Sequence, residues 1–236
     1  MYRVKIEDIL FVDIETVPQA ASYNDLPERM KMLWEKKSAY LRNNDQTAES
    51  IYERAGILAE FGKIICISAG AVRTLGEKKV FRVKSFYGDD EKQLLTPFCE
   101  LLHVFFAQKK DAKLCAHNGK EFDFPYIARR LLINGMTLPK VLNIAGSKPW
   151  EVPFLDTMEL WKFGDHKHFC SLDLLTAVLH IPTPKDDIDG SKVATVYYEE
   201  KNLERIVHYC EKDAMAVAQL FLRYRGKPLL QEMEKA

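Results

Sequence analysis

The sequence predicts an α/β domain in which strands and helices surround one sheet. Three observations support this prediction. Residues 9–14 form an almost unbroken apolar run, which suits a central strand covered on both faces. Residues 63–72 and 78–87 are two further strand-like runs, and the turn around Gly76 between them indicates a hairpin-like pair. Residues 91–106 place apolar side chains at helical spacing, so helices and strands are mixed along the chain.

A polar segment follows the first strand, which stops near Pro18. From about residue 25 to residue 59 the composition favours helices, and glycine is absent from the chain until Gly56. The segment carries no motif that points to a function. We therefore predict a helical insert over about residues 20–55, between the first strand and the hairpin.

The second half of the chain continues the α/β pattern. A short strand at 113–116 leads through the sequence HNGKEFD into a helix over about 124–133. The sequence FLDTMEL at 154–160 predicts another strand. Ser171 precedes a helical segment, and Asn202 is placed to cap a long final helix that ends near residue 225.

Composition sets limits on the class of protein. The chain has 236 residues, of which 47% are hydrophobic, so it can bury a sizeable core, and we expect a single domain over residues 1–236. Lysine plus arginine total 34 residues, and aspartate plus glutamate also total 34, so the net charge is close to zero. A polyanion such as nucleic acid would therefore have to bind at a local basic groove.

Cysteine usage and the N-terminus predict the compartment. The five cysteines are odd in number and form no CxxC pair, which argues against a disulfide framework or a zinc site. The N-terminus lacks the pattern of a secretory signal, and no stretch approaches membrane-spanning length. We therefore expect a reduced, cytoplasmic protein with no membrane partner.

Four acidic residues are the main chemical signal: Asp13, Glu15, Asp123 and Asp213. Asp13 and Glu15 are two apart on a predicted strand, so their side chains share a face. Carboxylates are hard ligands that favour Mg²⁺ or Mn²⁺, and four converging carboxylates repel one another unless cations lie between them. Taken singly, the D-x-E pair also suits a strand end, and Asp123 also suits a helix N-cap. Together they predict a divalent-cation site and phosphoryl chemistry.

The final helix places Tyr209 near Asp213. At 3.6 residues per turn the two side chains differ by roughly 40° around the axis, whereas His208 lies roughly 140° from Asp213. Tyr209 is therefore the predicted partner of the acids, although a tyrosine at the edge of the core has the same spacing. The apolar stripe that fixes the helix orientation comprises Leu203, Ile206, Val207, Cys210, Ala214, Val217 and Phe221.

Other polar residues allow two interpretations each. Asn118 suits either a contact to a carboxylate or substrate, or a turn beside glycine. Asp156 is either a fifth acid of the site or a structural hydrogen-bonding group. The segment 187–190 does not match a calcium-binding loop and predicts a loop near the substrate channel. The basic and aromatic candidates for strand binding are Lys120, Arg129, Arg130, Lys162, His166, Lys167 and Lys185 with Trp161 and Phe163.

The sequence resembles a known family of enzymes. The segments FVDIETVP, EFGKIICIS, HNGKEFDFPYIARR, SLDLL, KDDIDGS and YCEKDAMAVAQLFLR are similar to those of the PolB-like predicted exonucleases. These proteins are relatives of the proofreading domain of family-B DNA polymerases. They fall in the tyrosine-containing branch of the DEDD 3′–5′ exonucleases, which have a ribonuclease H-like fold. The spacing of His208 also satisfies the histidine-containing branch.

The resemblance implies a fold and a reaction. The fold would be a mixed five-stranded sheet flanked by helices. Asp13 would bridge two divalent cations, Mg²⁺ or Mn²⁺, with the other three acids completing their ligation, and Tyr209 would orient the attacking water. The expected substrate contacts are Thr16, Asn118 and Phe122.

The expected activity is hydrolysis of terminal phosphodiester bonds of single-stranded DNA, from the 3′ end, by a two-metal-ion mechanism. A separate polymerase or repair protein is an expected partner, because this chain shows no polymerase domain. Two alternatives stay open: an RNA-directed exonuclease of the same fold, and a non-catalytic nucleic-acid-binding module.

Overall fold

The computed structural model describes residues 4–165, 169–182 and 187–236. These residues form a mixed sheet with the strand order β5-β4-β1-β2-β3-β6. Strand β1 pairs antiparallel with β2 and parallel with β4, so the sequence motif DIE lies on a central strand. The strands are β1 Ile9–Pro18, β2 Gly62–Leu75, β3 Lys78–Tyr87, β4 Lys113–Ala116, β5 Phe154–Asp156 and β6 Met233–Lys235.

The predicted mixed sheet with flanking helices is confirmed, and it has six strands in place of the expected five. The additional strand, β6, pairs parallel with β3 at the sheet edge. Its approach is fixed by Gln219, whose side chain both donates to and accepts from the backbone of Leu230 at 2.9 Å. A strand of three residues leaves no hydrophobic pattern in the sequence, which explains why it was not predicted.

Helices cover both faces of the sheet. Leu10, Val12 and Ile14 point to the face covered by α2 and α3, whereas Ile9 and Phe11 point to the face covered by α5 and α7. Asp13 and Glu15 continue the second set, so they face α7. The helices are α1 Glu28–Ser38, α2 Glu91–Gln108, α3 Asp123–Ile133, α4 Thr157–Trp161, α5 Leu172–Val178, α6 Val193–Tyr198 and α7 Leu203–Tyr224. Within the described ranges, no helix combines the length and the apolar composition that crossing a membrane requires.

The predicted strand at 154–160 is wrong in its second part. Asp156 ends β5 and accepts hydrogen bonds from the backbone N–H groups of Met158 and Glu159, which starts α4 at Thr157. An N-capping carboxylate therefore converts the run from strand to helix.

The insert between β1 and β2 contains one α-helix, α1, together with the 3-10 helices Tyr23–Asp25 and Tyr52–Ile57. Its apolar residues form a cluster separate from the two sheet faces. Much of the segment that the sequence predicts as helical is thus made of short turns.

Candidate active site

The four acidic residues come together from three elements. Asp13 and Glu15 lie on β1, Asp123 is the first residue of α3, and Asp213 lies in the middle of α7. Glu15, Asp123 and Asp213 are each less than a tenth exposed. Helix α7 packs across β1 and β2, so the packing of the fold itself gathers these side chains.

The electrostatics of Asp13 show how close the carboxylates are. Burial raises the pKa of Asp13 well above its usual range, and the negative charges of Asp213, Glu15 and Asp123 raise it further. Burial also raises the pKa of Asp123 to about 7, although backbone N–H groups lower it in part. Full ionisation of all four carboxylates is therefore unfavourable unless a cation binds between them.

The donor set fits divalent cations. The Oδ2 atom of Asp13 is buried and has no hydrogen-bond partner in the described protein. Ligand atoms of Asp13, Glu15 and Cys210 lie within 4.8 Å of one another. Buried polar atoms normally have a hydrogen-bond partner. A buried carboxylate oxygen that has none, and that lies among other carboxylates, therefore indicates a binding site for a divalent cation.

We expect the metal-free protein to lose stability as the pH rises. The folded pKa of Asp123, about 7, lies above the value of about 3.9 for an unfolded aspartate. Between these values the folded state binds more protons than the unfolded state, so the free energy of unfolding falls with increasing pH. Asp13, whose pKa is also raised, adds to the fall. Thermal melting in EDTA from about pH 4 to about pH 8 measures it.

The control for this pH effect is Asp123→Asn, which cannot titrate at that position. Because the charge of Asp123 also raises the pKa of Asp13, the wild-type profile minus the variant profile reports Asp123 together with its effect on Asp13. This difference should fall across the window, and a flat or rising difference would contradict a raised pKa of Asp123.

Tyr209, and not His208, faces the acids. Tyr209 is 7% exposed and lies close enough to Asp213 for the charge of that carboxylate to act on its hydroxyl. Burial, followed by the charges of Asp213, Glu15 and Asp13, raises the pKa of Tyr209 far above its usual range. The side chain of His208 is 57% exposed, and its Nδ1 lies 3.9 Å from Oε2 of Glu211. The tyrosine hydroxyl thus stays protonated at neutral pH and acts as a donor.

Asp156 braces the loop before α3. Its Oδ1 accepts from the backbone N–H of Asn118 and its Oδ2 from that of Lys120, both at 3.0 Å. With its capping bonds to α4, this carboxylate is fully used in protein contacts, which favours the structural interpretation. Asn118 has φ 61°, so it occupies the left-handed turn that the alternative interpretation expects. Its Oδ1 atom is buried without a hydrogen-bond partner.

A cleft of about 410 Å³ opens beside Glu15. Of the three predicted substrate contacts, Thr16 and Phe122 line it, and Asn118 does not. Gly190 and Ser191 also line it, so the loop predicted near the substrate channel lies at this cleft. The fourth wall comes from the insert, at residues 53–57. No sequence pattern predicted this part of the cleft, because its residues belong to no motif.

Several basic candidates have structural partners. Arg130 is buried, and its Nε lies 2.9 Å from Oε1 of Glu91, so its prediction as a phosphate contact is wrong. Lys120 pairs with Glu159. Arg129 is exposed, and Phe163 is 80% exposed. His166, Lys167 and Lys185 lie outside the described residues.

Comparison with known proteins gives the family. A family described as predicted 3′–5′ exonucleases related to the exonuclease domain of PolB matches residues 57–232. The chain belongs to this family. The matched span contains Asp123 and Asp213, whereas β1, with Asp13 and Glu15, precedes it. Exonucleases of this kind usually use divalent metal ions, in keeping with the acidic cluster.

Two polymerases resemble the chain. The DNA polymerase of Pyrococcus glycovorans is 24% identical over 188 residues, which cover 73% of this chain and 23% of the polymerase. The family B DNA polymerase of the hyperthermophilic archaeon Pyrobaculum calidifontis superposes with a TM-score of 0.51 at 14% identity, over 89% of this chain and 23% of the polymerase. The chain therefore shares its fold with the Pyrobaculum calidifontis polymerase and covers less than a quarter of the length of either polymerase.

Proposed function

We propose that the protein is a metal-dependent 3′–5′ exonuclease that hydrolyses terminal phosphodiester bonds of single-stranded DNA. The observation that carries this proposal is the convergence of four carboxylates beside a cleft, with an oxygen of Asp13 buried and unpartnered. Membership of the family supports the reaction, and the resemblance to two DNA polymerases favours DNA over RNA.

The four acids would hold two divalent cations, Mg²⁺ or Mn²⁺, and the unpartnered oxygen of Asp13 would be one of the ligand atoms. When bound, such ions neutralise charge on the attacking and leaving oxygens and lower the pKa of water. Glu15, Asp123 and Asp213 would complete the ligation. Their carboxylates are held in place by the packing of β1, α3 and α7, so the site is preorganised before the substrate arrives.

Tyr209 would position the attacking water by donating a hydrogen bond. Because its pKa is raised, the hydroxyl keeps its proton at neutral pH and is not the principal base. Thr16 and Phe122, which line the cleft, would contact the substrate. Asn118, whose buried side-chain oxygen has no hydrogen-bond partner in the described protein, would be a further substrate contact.

We expect Tyr209→Phe to slow turnover about 10- to 100-fold and to leave Mn²⁺ affinity nearly unchanged, because it removes one hydrogen bond and no ligand. Single-turnover kinetics and calorimetric titration with Mn²⁺ measure the two effects. His208→Ala is the control on the neighbouring position and should remain close to wild type. An inactive His208→Ala with an active Tyr209→Phe would place the protein in the histidine branch.

The proposed activity is tested by product analysis on end-labelled oligomers. Single-stranded, duplex and 3′-blocked DNA and RNA are incubated with Mn²⁺, and with EDTA as the control. We expect stepwise shortening of unblocked single-stranded DNA with Mn²⁺ alone. Binding without shortening would indicate a non-catalytic module, and faster shortening of RNA would change the substrate class.

We propose that residues 1–236 act as one exonuclease domain, and that the activity serves a polymerase or repair protein, because two DNA polymerases resemble the chain. The five cysteines are free thiols, which supports a reducing, cytoplasmic compartment.

A further inference from the structure

The helical insert has its own apolar centre. Trp34 is fully buried there, and its indole N–H donates to the carbonyl of Ala48 at 2.8 Å. The indole packs edge-on against Tyr52, with ring centroids 5.9 Å apart. The 3-10 helix Tyr52–Ile57 therefore rests on a packed base.

Two side chains of α3 tie the end of this insert to the catalytic half of the fold. Tyr126 donates to the carbonyl of Gly56 and Arg130 donates to that of Ala59, both at 2.8 Å. These bonds are buried, so they hold the insert in a fixed position relative to the strand and helix that carry the acids.

The apolar side chain of Ile57, at the end of the insert, lies in the cleft. Ile57 is 52% exposed and lines the cleft, with Phe122 also in the lining. The preceding residues of the same 3-10 helix, Ala55 and Gly56, are buried. An apolar side chain exposed inside a cleft offers a contact surface for an apolar part of a ligand, such as a nucleic-acid base.

The insert also places a positive charge in the cleft. Among the described residues that line it, Arg54 is the one cation, whereas Glu15 and Glu53 are acidic. Arg54 is exposed and uses one of its five N–H donors on the carbonyl of Leu41, at 3.2 Å. The Arg54 guanidinium is therefore placed to bind a phosphate of a nucleic-acid strand that enters this cleft.

We propose that the insert is the wall that holds the 3′-terminal part of the substrate strand against the acids. Ile57 packs on the terminal nucleoside, and Arg54 binds a phosphate of the same strand. The inference rests on the proposed exonuclease function and assigns the insert a role in strand affinity.

The test on Arg54 uses its charge. Arg54→Ala should weaken binding of a labelled single-stranded oligonucleotide about ten-fold, or about 1.4 kcal/mol. The slope of log affinity against log salt should become shallower by about 0.7, the value for one phosphate contact on a single strand. Fluorescence anisotropy in an Asp213→Asn background, which prevents cleavage, measures both quantities. Arg54→Lys should restore the slope.

Ile57→Ala tests the apolar contact. It should weaken binding by about three- to ten-fold, because it removes apolar contact area, and leave the salt slope unchanged. In the otherwise wild-type enzyme, KM should rise by a similar factor while kcat stays close to the wild-type value.

Arg42→Ala is the matched control. Arg42 belongs to the same insert, pairs with the Glu35 carboxylate at 2.7 Å and donates to the Glu35 carbonyl at 3.0 Å, and it does not line the cleft. If either substitution disrupts the insert, the melting temperature of that variant should fall. If Arg54 binds a phosphate, the salt slope should change in Arg54→Ala and stay at the wild-type value in Arg42→Ala.

The outcomes separate the two proposals. Wild-type affinity and salt slope in Arg54→Ala, with wild-type affinity in Ile57→Ala, would overturn the role of the insert. A wild-type protein that neither binds nor shortens any oligonucleotide would overturn the exonuclease function itself.

Discussion

Asp13→Ala and Asp213→Ala are each expected to lower Mn²⁺-dependent cleavage by at least about three orders of magnitude, because each removes a carboxylate that would hold the cations. Initial rates on a labelled single strand measure the loss. Calorimetric titration with Mn²⁺ should show weaker binding or fewer sites, which ties the loss to metal ligation.

Stability gives this prediction a second signature. Burial and three neighbouring charges disfavour ionised Asp13, so Asp13→Asn should raise the melting temperature of the metal-free protein while it abolishes activity. Substitution of a residue that serves only the fold is expected to lower the melting temperature instead.

The control is Glu211→Gln, a buried acid on the same helix as Asp213. Glu211 accepts a hydrogen bond from Ser85 at 3.0 Å and pairs with Lys235 at 3.0 Å, away from the cleft. It should keep wild-type activity. An active Asp13→Ala variant would remove the basis of the nuclease proposal.

Arg130→Met is expected to lower the free energy of unfolding by about 3–5 kcal/mol, because it leaves the buried carboxylate of Glu91 without its cation. The pair is part of a network: Glu91 also accepts from the backbone N–H of Ile64 and the side chain of Asn134, both at 2.7 Å. Arg130 in turn holds the insert through Ala59. Urea denaturation monitored by circular dichroism measures the change.

Lys120→Met is the matched control, since it breaks an ion pair with Glu159 whose carboxylate is more than half exposed. That pair should contribute about 1 kcal/mol or less. Equal losses in the two variants would show that burial does not decide the contribution of these ion pairs.

The parts of the fold that the sequence predicted are those governed by local periodicity. The apolar run of β1 and the stripe of α7 each fix one buried face, and from that face the directions of Asp13 and Tyr209 follow. The periodicity of the helix, 3.6 residues per turn, predicted that Tyr209 and not His208 lies on the same side of the helix as Asp213. Such positions can be predicted because the apolar pattern repeats along the strand or helix that carries them.

The parts that the sequence did not predict depend on partners distant in the chain. Arg130 has the composition of a surface cation, and its burial depends on Glu91, 39 residues away. β6 depends on the side chain of Gln219. Ile57 lies in the cleft because the insert folds around Trp34, and single-sequence patterns do not contain such contacts.

The thiol of Cys210 affects which ions the proposed site can use. Its sulfur lies within 4.8 Å of oxygens from Asp13 and Glu15, and the residue is fully shielded from solvent. A soft cation held by these residues would gain from the sulfur, whereas Mg²⁺ and Mn²⁺ would gain little from it. The chemical hardness of a cation, as well as its charge, would therefore affect how strongly this group of residues holds it.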